Sequence, residues 1–173
     1  MTIRALAVLG FAAALPFLPR LSAGAESSTA LPRFDFRNAR EVAEWVQPHD
    51  LEPPTSTADG MELHLVGSDP YLQGPARDYP TNSPLWLVVR LRAEQTGTGE
   101  FFYFRQQARA GESVQFPVPG GRWSEHRIPL PSLGPGYRLR FDPPGAGGRV
   151  VLSDIRFEPR VLFAAPQFPP WQS

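Results

Sequence analysis

The residue types best suited to holding a ligand recur at alternate positions of one segment. In Leu85-Trp86-Leu87-Val88-Val89-Arg90-Leu91-Arg92, the residues Leu85, Leu87, Val89 and Leu91 fall on one side of an extended chain, and Trp86, Val88, Arg90 and Arg92 on the other. Indole rings and guanidinium groups outside a core offer stacking surface and planar hydrogen-bond donors, a chemistry of binding rather than of bond cleavage. The same alternation places His64, Tyr103 and Arg105 on that face, with Arg138 and Arg140 as neighbours. The assignment depends on phase, and a bulge of one residue would reverse it. Trp86 and Tyr103 also admit a plainer reading, in which they pack beneath the loop from Gly67 to Pro84.

A second constellation is Asp69-Pro70-Tyr71. Asp69 would accept hydrogen bonds from ligand hydroxyls while Tyr71 stacks; alternatively Asp69 before proline starts a turn and Tyr71 covers the core. Trp123, after Gly120-Gly121-Arg122, is either an exposed platform or a plug at a strand start, and Arg140-Phe141-Asp142-Pro143 reads as an ion pair or turn cap.

Catalytic signatures are absent from the sequence. Histidines stand at 49, 64 and 126, without metal-ligand spacing, and there is no nucleophile elbow or glycine-rich phosphate loop. Glu62 and Glu125 are a carboxylate pair of the kind glycoside hydrolysis uses, but with 17 acidic residues in the chain some such pair is expected in any sandwich. The expectation is no enzyme. No cofactor is implied by the residues themselves, and no ligand-dense loop of the calcium-binding kind is present in the sequence.

Residues 1–25 have the layout of a secretory signal peptide: a basic start to Arg4, an apolar run from Ala5 to Pro19, and Ala23-Gly24-Ala25 before Glu26. The apolar run falls short of the roughly 20 residues of a membrane span, and no other segment of the mature chain is apolar enough for one. Export to a periplasm or beyond is the expectation. Removing Arg4 and Arg20 from 17 basic residues leaves 15 against 17 acidic ones, a balance that excludes a dedicated nucleic-acid binder. No cysteine is present, so neither disulfides nor thiolate zinc sites contribute. Every basic residue is arginine.

The elements that must position these side chains are strands. After a flexible leader over 26–33, Phe34-Asp35-Phe36 reads as a first strand, and Asn38 to Trp45 as a helical turn or a loop that seats Trp45. Pro48, Pro53 and Pro54 argue against regular structure until Asp59-Gly60 opens the strand Met61 to Val66. Gly67 to Pro84, with four prolines and two glycines, reads as a long excursion. Further strands follow at Leu85 to Arg92, Phe101 to Gln106, Ser113 to Val118, Trp123 to Leu130, Tyr137 to Phe141 and Arg149 to Phe157. Seven or eight short strands with proline and glycine punctuation specify one all-β domain over 34–159, an antiparallel two-sheet β-sandwich. The tail over 160–173 is apolar and proline-rich, with Phe163, Phe168 and Trp171 as gripping residues.

Gly67-Ser68-Asp69-Pro70-Tyr71-Leu72, Gly121-Arg122-Trp123 leading into Ile128-Pro129-Leu130-Pro131, and Leu139-Arg140-Phe141-Asp142-Pro143 ahead of Val151-Leu152-Ser153-Asp154-Ile155 together resemble the jelly-roll sandwiches of galactose-binding-like carbohydrate-binding modules. The resemblance spans roughly Phe34 to Glu158. It implies a non-catalytic module of bacterial secreted proteins that recognises glycan through aromatic platforms and planar polar groups. Sandwiches of this type also carry, in many cases, a structural calcium near the joined first and last strands, for which Asp35 and Asp154, with Asp59, are the available carboxylates. The residues that would carry this are His64, Asp69, Tyr71, Trp86, Arg90, Tyr103 and Arg105. The alternative is a structural or assembly protein of the bacterial envelope that docks on another protein through its loop or aromatic tail.

Overall fold

The computed structural model describes residues 30–162; the signal-peptide residues, part of the leader, and Phe163, Phe168 and Trp171 lie outside them. Eleven strands and one short helix follow in the order β1 (Arg33–Asp35), α1 (Ala39–Ala43), β2 (Val46–His49), β3 (Thr55–Ser56), β4 (Met61–Leu65), β5 (Tyr71–Gln73), β6 (Leu85–Ala93), β7 (Gly97–Phe104), β8 (Ser113–Val118), β9 (Trp123–Leu130), β10 (Arg138–Asp142) and β11 (Gly148–Pro159).

They form two antiparallel sheets. Sheet A has the order β3-β4-β11-β6-β9, with β1 also paired to β11, and sheet B has the order β2-β5-β10-β7-β8. From β4 to β11 the chain crosses between sheets at each connection except the β7–β8 hairpin, which makes the sandwich a jelly roll. The first and last strands lie side by side, with Phe34 opposite Ile155 and Asp35 opposite Asp154.

The alternation read from the sequence is what closes the interior. Leu85, Leu87, Val89 and Leu91 of β6 are fully buried against Leu139 and Phe141 of β10, Phe101 of β7 and Leu72 of β5 in one continuous core. Trp45 is buried edge-on to Phe34 and Phe36, at centroid distances of 5.6 and 5.4 Å. Helix α1 delivers it: the Asn38 side chain caps the helix by accepting from the Arg40 amide at 3.1 Å. Gly60, at φ +138°, lets the β3–β4 turn meet β11, where an added Cβ would stand 2.0 Å from the Leu152 carbonyl oxygen.

Two expectations need correction. The proline-rich stretch before Asp59 contains β2 and β3; both are outermost strands, where proline's missing N–H costs no ladder bond. The excursion from Gly67 to Pro84 contains β5, between β2 and β10. It continues along β10 through the Gly74 amide to the Leu139 carbonyl and the Arg77 amide to the Tyr137 carbonyl, and buries Tyr79 against Phe157. Three residues are too few to register as alternation, which is why β5 escapes a sequence reading.

Candidate functional site: the outer face of sheet B

The seven residues singled out in the sequence do not converge. His64, Trp86 and Arg90 face outward from sheet A. Tyr103 is inverted relative to expectation: in β7 it is Phe102 and Phe104 that face outward, while Tyr103 packs against the core, where burial pushes its hydroxyl up in pKa. Asp69 and Tyr71 stand at the outer surface of sheet B, and Arg105 follows the end of β7 with its guanidinium 4.8 Å from the Tyr137 ring centre.

On sheet A the outward side chains saturate one another. Arg127 bridges Glu158 at 2.6 Å, and Arg156 bridges Glu125, Asp154 and Glu158 at 3.1, 3.6 and 3.4 Å. Arg90 and Arg92 flank Trp123 at 5.1 Å each, and Arg127 and Arg160 flank Trp86 at 5.6 Å each. Trp123 is thus a lid on arginine stems rather than a buried plug. A polar notch of about 390 Å³ opens there between Arg37, Asp59, Arg90 and Trp123. Glu62 and Glu125 lie on β4 and β9, separated by β11 and β6. Three strand spacings, roughly 14 Å, exceed the separation glycoside hydrolysis uses.

Calcium does not fit these carboxylates. Asp35 is clasped by Arg37 at 2.7 and 2.8 Å, which holds its carboxyl below the usual range. Asp154 accepts from Ser153 and faces Arg156, and Asp59 faces Arg92. No group of three or more potential metal ligands occurs among the described residues.

Sheet B presents a different surface. A row of stacked groups crosses four strands: Phe102 of β7, Arg140 of β10, Tyr71 of β5 and His49 of β2. The Arg140 guanidinium lies 4.9 Å from the Phe102 ring centre and 3.6 Å from that of Tyr71, and the His49 ring stacks on Tyr71 at 4.8 Å. Asp142 fixes Arg140 with two bonds of 2.6 and 2.7 Å. Burial pushes the Asp142 carboxyl up in pKa, against the pull of that guanidinium. His49 is held in turn by the Asp69 carbonyl at 2.9 Å.

Beside this row opens a trough of about 530 Å³, with Gln73, Arg138 and Phe104 on its floor, Gln47 on the β2 side, and Gln106 and Gln107 on the β7–β8 loop. It runs into a second recess of about 220 Å³ lined by Arg105, Arg109, Glu112 and Tyr137, the two sharing Phe104, Gln106 and Gln107. Gln47 adopts a left-handed backbone, φ 54°, at the irregular β2–β5 pairing, a strained conformation at the trough's edge. Amides and guanidiniums around an apolar floor can meet many hydroxyls at once; among the described residues, the trough's lining pairs no nucleophile with a base.

Sequence reasoning missed Gln47, Gln73, Gln106 and Gln107. Each is a polar residue in a short strand or loop, and only the sheet order brings them together.

No protein-family model matches the chain, and no curated protein matches it. Solved structures do. The apo form of BiXyn10A CBM1 superposes with a TM-score of 0.56 at 12% identity, over 74% of this chain and 96% of that one. A family 6 carbohydrate-binding module from Clostridium cellulolyticum, in complex with xylose, gives 0.54 at 12%, over 74% and 97%. The C-terminal CBM6 of LamC, a laminarinase from Zobellia galactanivorans, gives 0.52 at 16%, over 73% and 97%. At these identities the likeness establishes the fold: a two-sheet β-sandwich shared with carbohydrate-binding modules, as the sequence resemblance implies.

Proposed function

We propose that this chain is an exported, non-catalytic glycan-binding module whose ligand lies in the trough on the outer face of sheet B. The observation that carries the proposal is the trough's lining. Gln47, Gln73, Gln106 and Gln107 surround Arg138 and the apolar Phe104 floor, and none of these groups is committed to a carboxylate partner among the described residues. Sugar hydroxyls come in vicinal pairs that planar amide and guanidinium groups engage two at a time, with the buried Phe104 ring closing the floor beneath them. The structural neighbours include a module holding xylose, which supports the same class of ligand.

Of the residues proposed from sequence, Asp69, Tyr71 and Arg105 belong to this reading. Tyr71 acts as a wall, since His49 and Arg140 flank its ring. His64, Trp86, Arg90 and Tyr103 do not belong to the trough. Residues 1–25 would direct the chain to a periplasm or outside the cell, where polysaccharide is met.

Affinity electrophoresis through gels cast with individual polysaccharides tests the reading. Retardation by at least one polysaccharide is expected, weakened about tenfold by Gln73→Ala or Gln107→Ala, each checked for folding by circular dichroism. Retardation lost instead in Trp86→Ala, with the glutamine variants unchanged, would move the site to sheet A.

A further inference from the structure

The arginines divide by partner. Arg37, Arg77, Arg92, Arg127, Arg140, Arg149 and Arg156 each meet a carboxylate, four of them on the outer face of sheet A. Arg105, Arg109 and Arg138 meet none among the described residues and line the joined recesses of sheet B together; of the other arginines without a carboxylate partner, Arg90 and Arg160 are stacked on the tryptophans of sheet A. Arg138 is half-buried and donates to the Gly74 carbonyl at 3.3 Å, which satisfies one N–H and none of the charge. Arg105 rests on Tyr137, and Glu112, the acidic residue lining the recess, does not bridge to it. The excess is local, for the whole chain has equal numbers of basic and acidic residues.

Partial removal of a guanidinium from water without a counter-charge is unfavourable, and an anion placed there recovers that cost. The guanidinium fork matches a carboxylate or sulfate group with two parallel bonds, while neutral hydroxyls gain no such preference. We infer that the trough selects polysaccharide bearing anionic groups, carboxylate or sulfate, with Arg138, Arg105 and Arg109 reading the charge and the glutamines reading the hydroxyls. This rests on the trough being a glycan site and specifies its substrate class.

The test is affinity electrophoresis of the full chain in gels containing neutral xylan, polygalacturonate, carrageenan or single-stranded DNA. Retardation by polygalacturonate or carrageenan is expected, about tenfold stronger than by xylan, and weakened by added salt. The polygalacturonate and carrageenan arms identify the anionic group as carboxylate or sulfate. Arg138→Gln with Arg105→Gln should cut that affinity about tenfold, and the exposed Arg109→Gln, which leaves packing untouched, should reduce it by a smaller factor. Arg156→Gln, on the other face, should change it less than about twofold. Equal or stronger binding to xylan overturns the anionic preference and leaves glycan binding standing. Equal retardation by DNA overturns it as unselective charge attraction. Binding to no polysaccharide overturns both readings.

Discussion

The two outer faces of the sandwich are built from nearly the same residue types and have opposite character. Sheet A carries Trp86, Trp123 and a set of arginines, each ring covered by a guanidinium and most guanidiniums bridged to glutamate or aspartate. Sheet B also carries aromatics and arginines, yet among the described residues of its strands only Arg140 is bridged, and Arg105, Arg109 and Arg138 open onto a trough. The difference lies in where the acidic residues fall. Glu62, Glu125, Asp154 and Glu158 all project from sheet A, so its positive charge is neutralised in place. Sheet B commits Asp142 to a structural pair with Arg140, its Glu100 accepts from the Gln115 amide rather than from an arginine, and its trough is lined by glutamines. The two faces are therefore distinguished by the pairing of their side chains and not by which side chains they have.

The sharpest way to break the comparison is to remove one arginine from each face. Arg140→Leu strands the half-buried Asp142 carboxylate and interrupts the row from Phe102 to Tyr71, so urea unfolding should show a loss of about 2 to 3 kcal/mol. Arg127→Leu removes an exposed bridge to Glu158 and should cost less than about 1 kcal/mol. Equal losses would mean the two lattices are energetically alike. A finer contrast comes from Gln47→Gly. Relief of the left-handed backbone, offset by glycine's entropy, should raise stability by about 0.5 kcal/mol while weakening polysaccharide retention, a trade expected only at a functional edge.

The smallest effect concerns pH. His126 faces inward on β9, next to Phe116 and within 2.8 Å of the Ser124 hydroxyl, and burial lowers its pKa. Proton binding is thus weaker in the folded chain than in the unfolded one. Stability should fall as pH drops through the ordinary histidine range near 6.5, and His126→Gln should remove that slope. If the slope survives, it originates on one of the faces.

How far the sequence discloses this arrangement depends on strand length. β6, β9 and β11 run to eight residues or more, so their inward and outward sets are legible, and with them the sandwich class and the face that bears Trp86 and Arg90. β2, β3 and β5 have two to four residues, and all three contain or adjoin proline. No periodicity survives at that length, and β5 and β2 are the strands that carry Tyr71, Gln73 and Gln47 to the trough. Aromatic-rich β7 offers hydrophobic residues at both phases, so Tyr103 and its neighbours Phe102 and Phe104 exchange faces relative to expectation. Pairing was the least legible property of all: Arg156 and Arg138 are indistinguishable as letters, and only the positions of Glu125, Asp154 and Gly74 across the sheets tell them apart.

The measurement that tests the account most directly is an amide NMR titration of the isotope-labelled protein with an oligosaccharide from whichever polysaccharide is retained. Shifts should concentrate at Gln47, Tyr71, Gln73, residues 105–109 and Arg138, leaving Trp86, Arg90, Trp123 and Arg127 unmoved. Shifts confined to that second group, around the notch between Arg37 and Trp123, would place the ligand on sheet A and contradict the account.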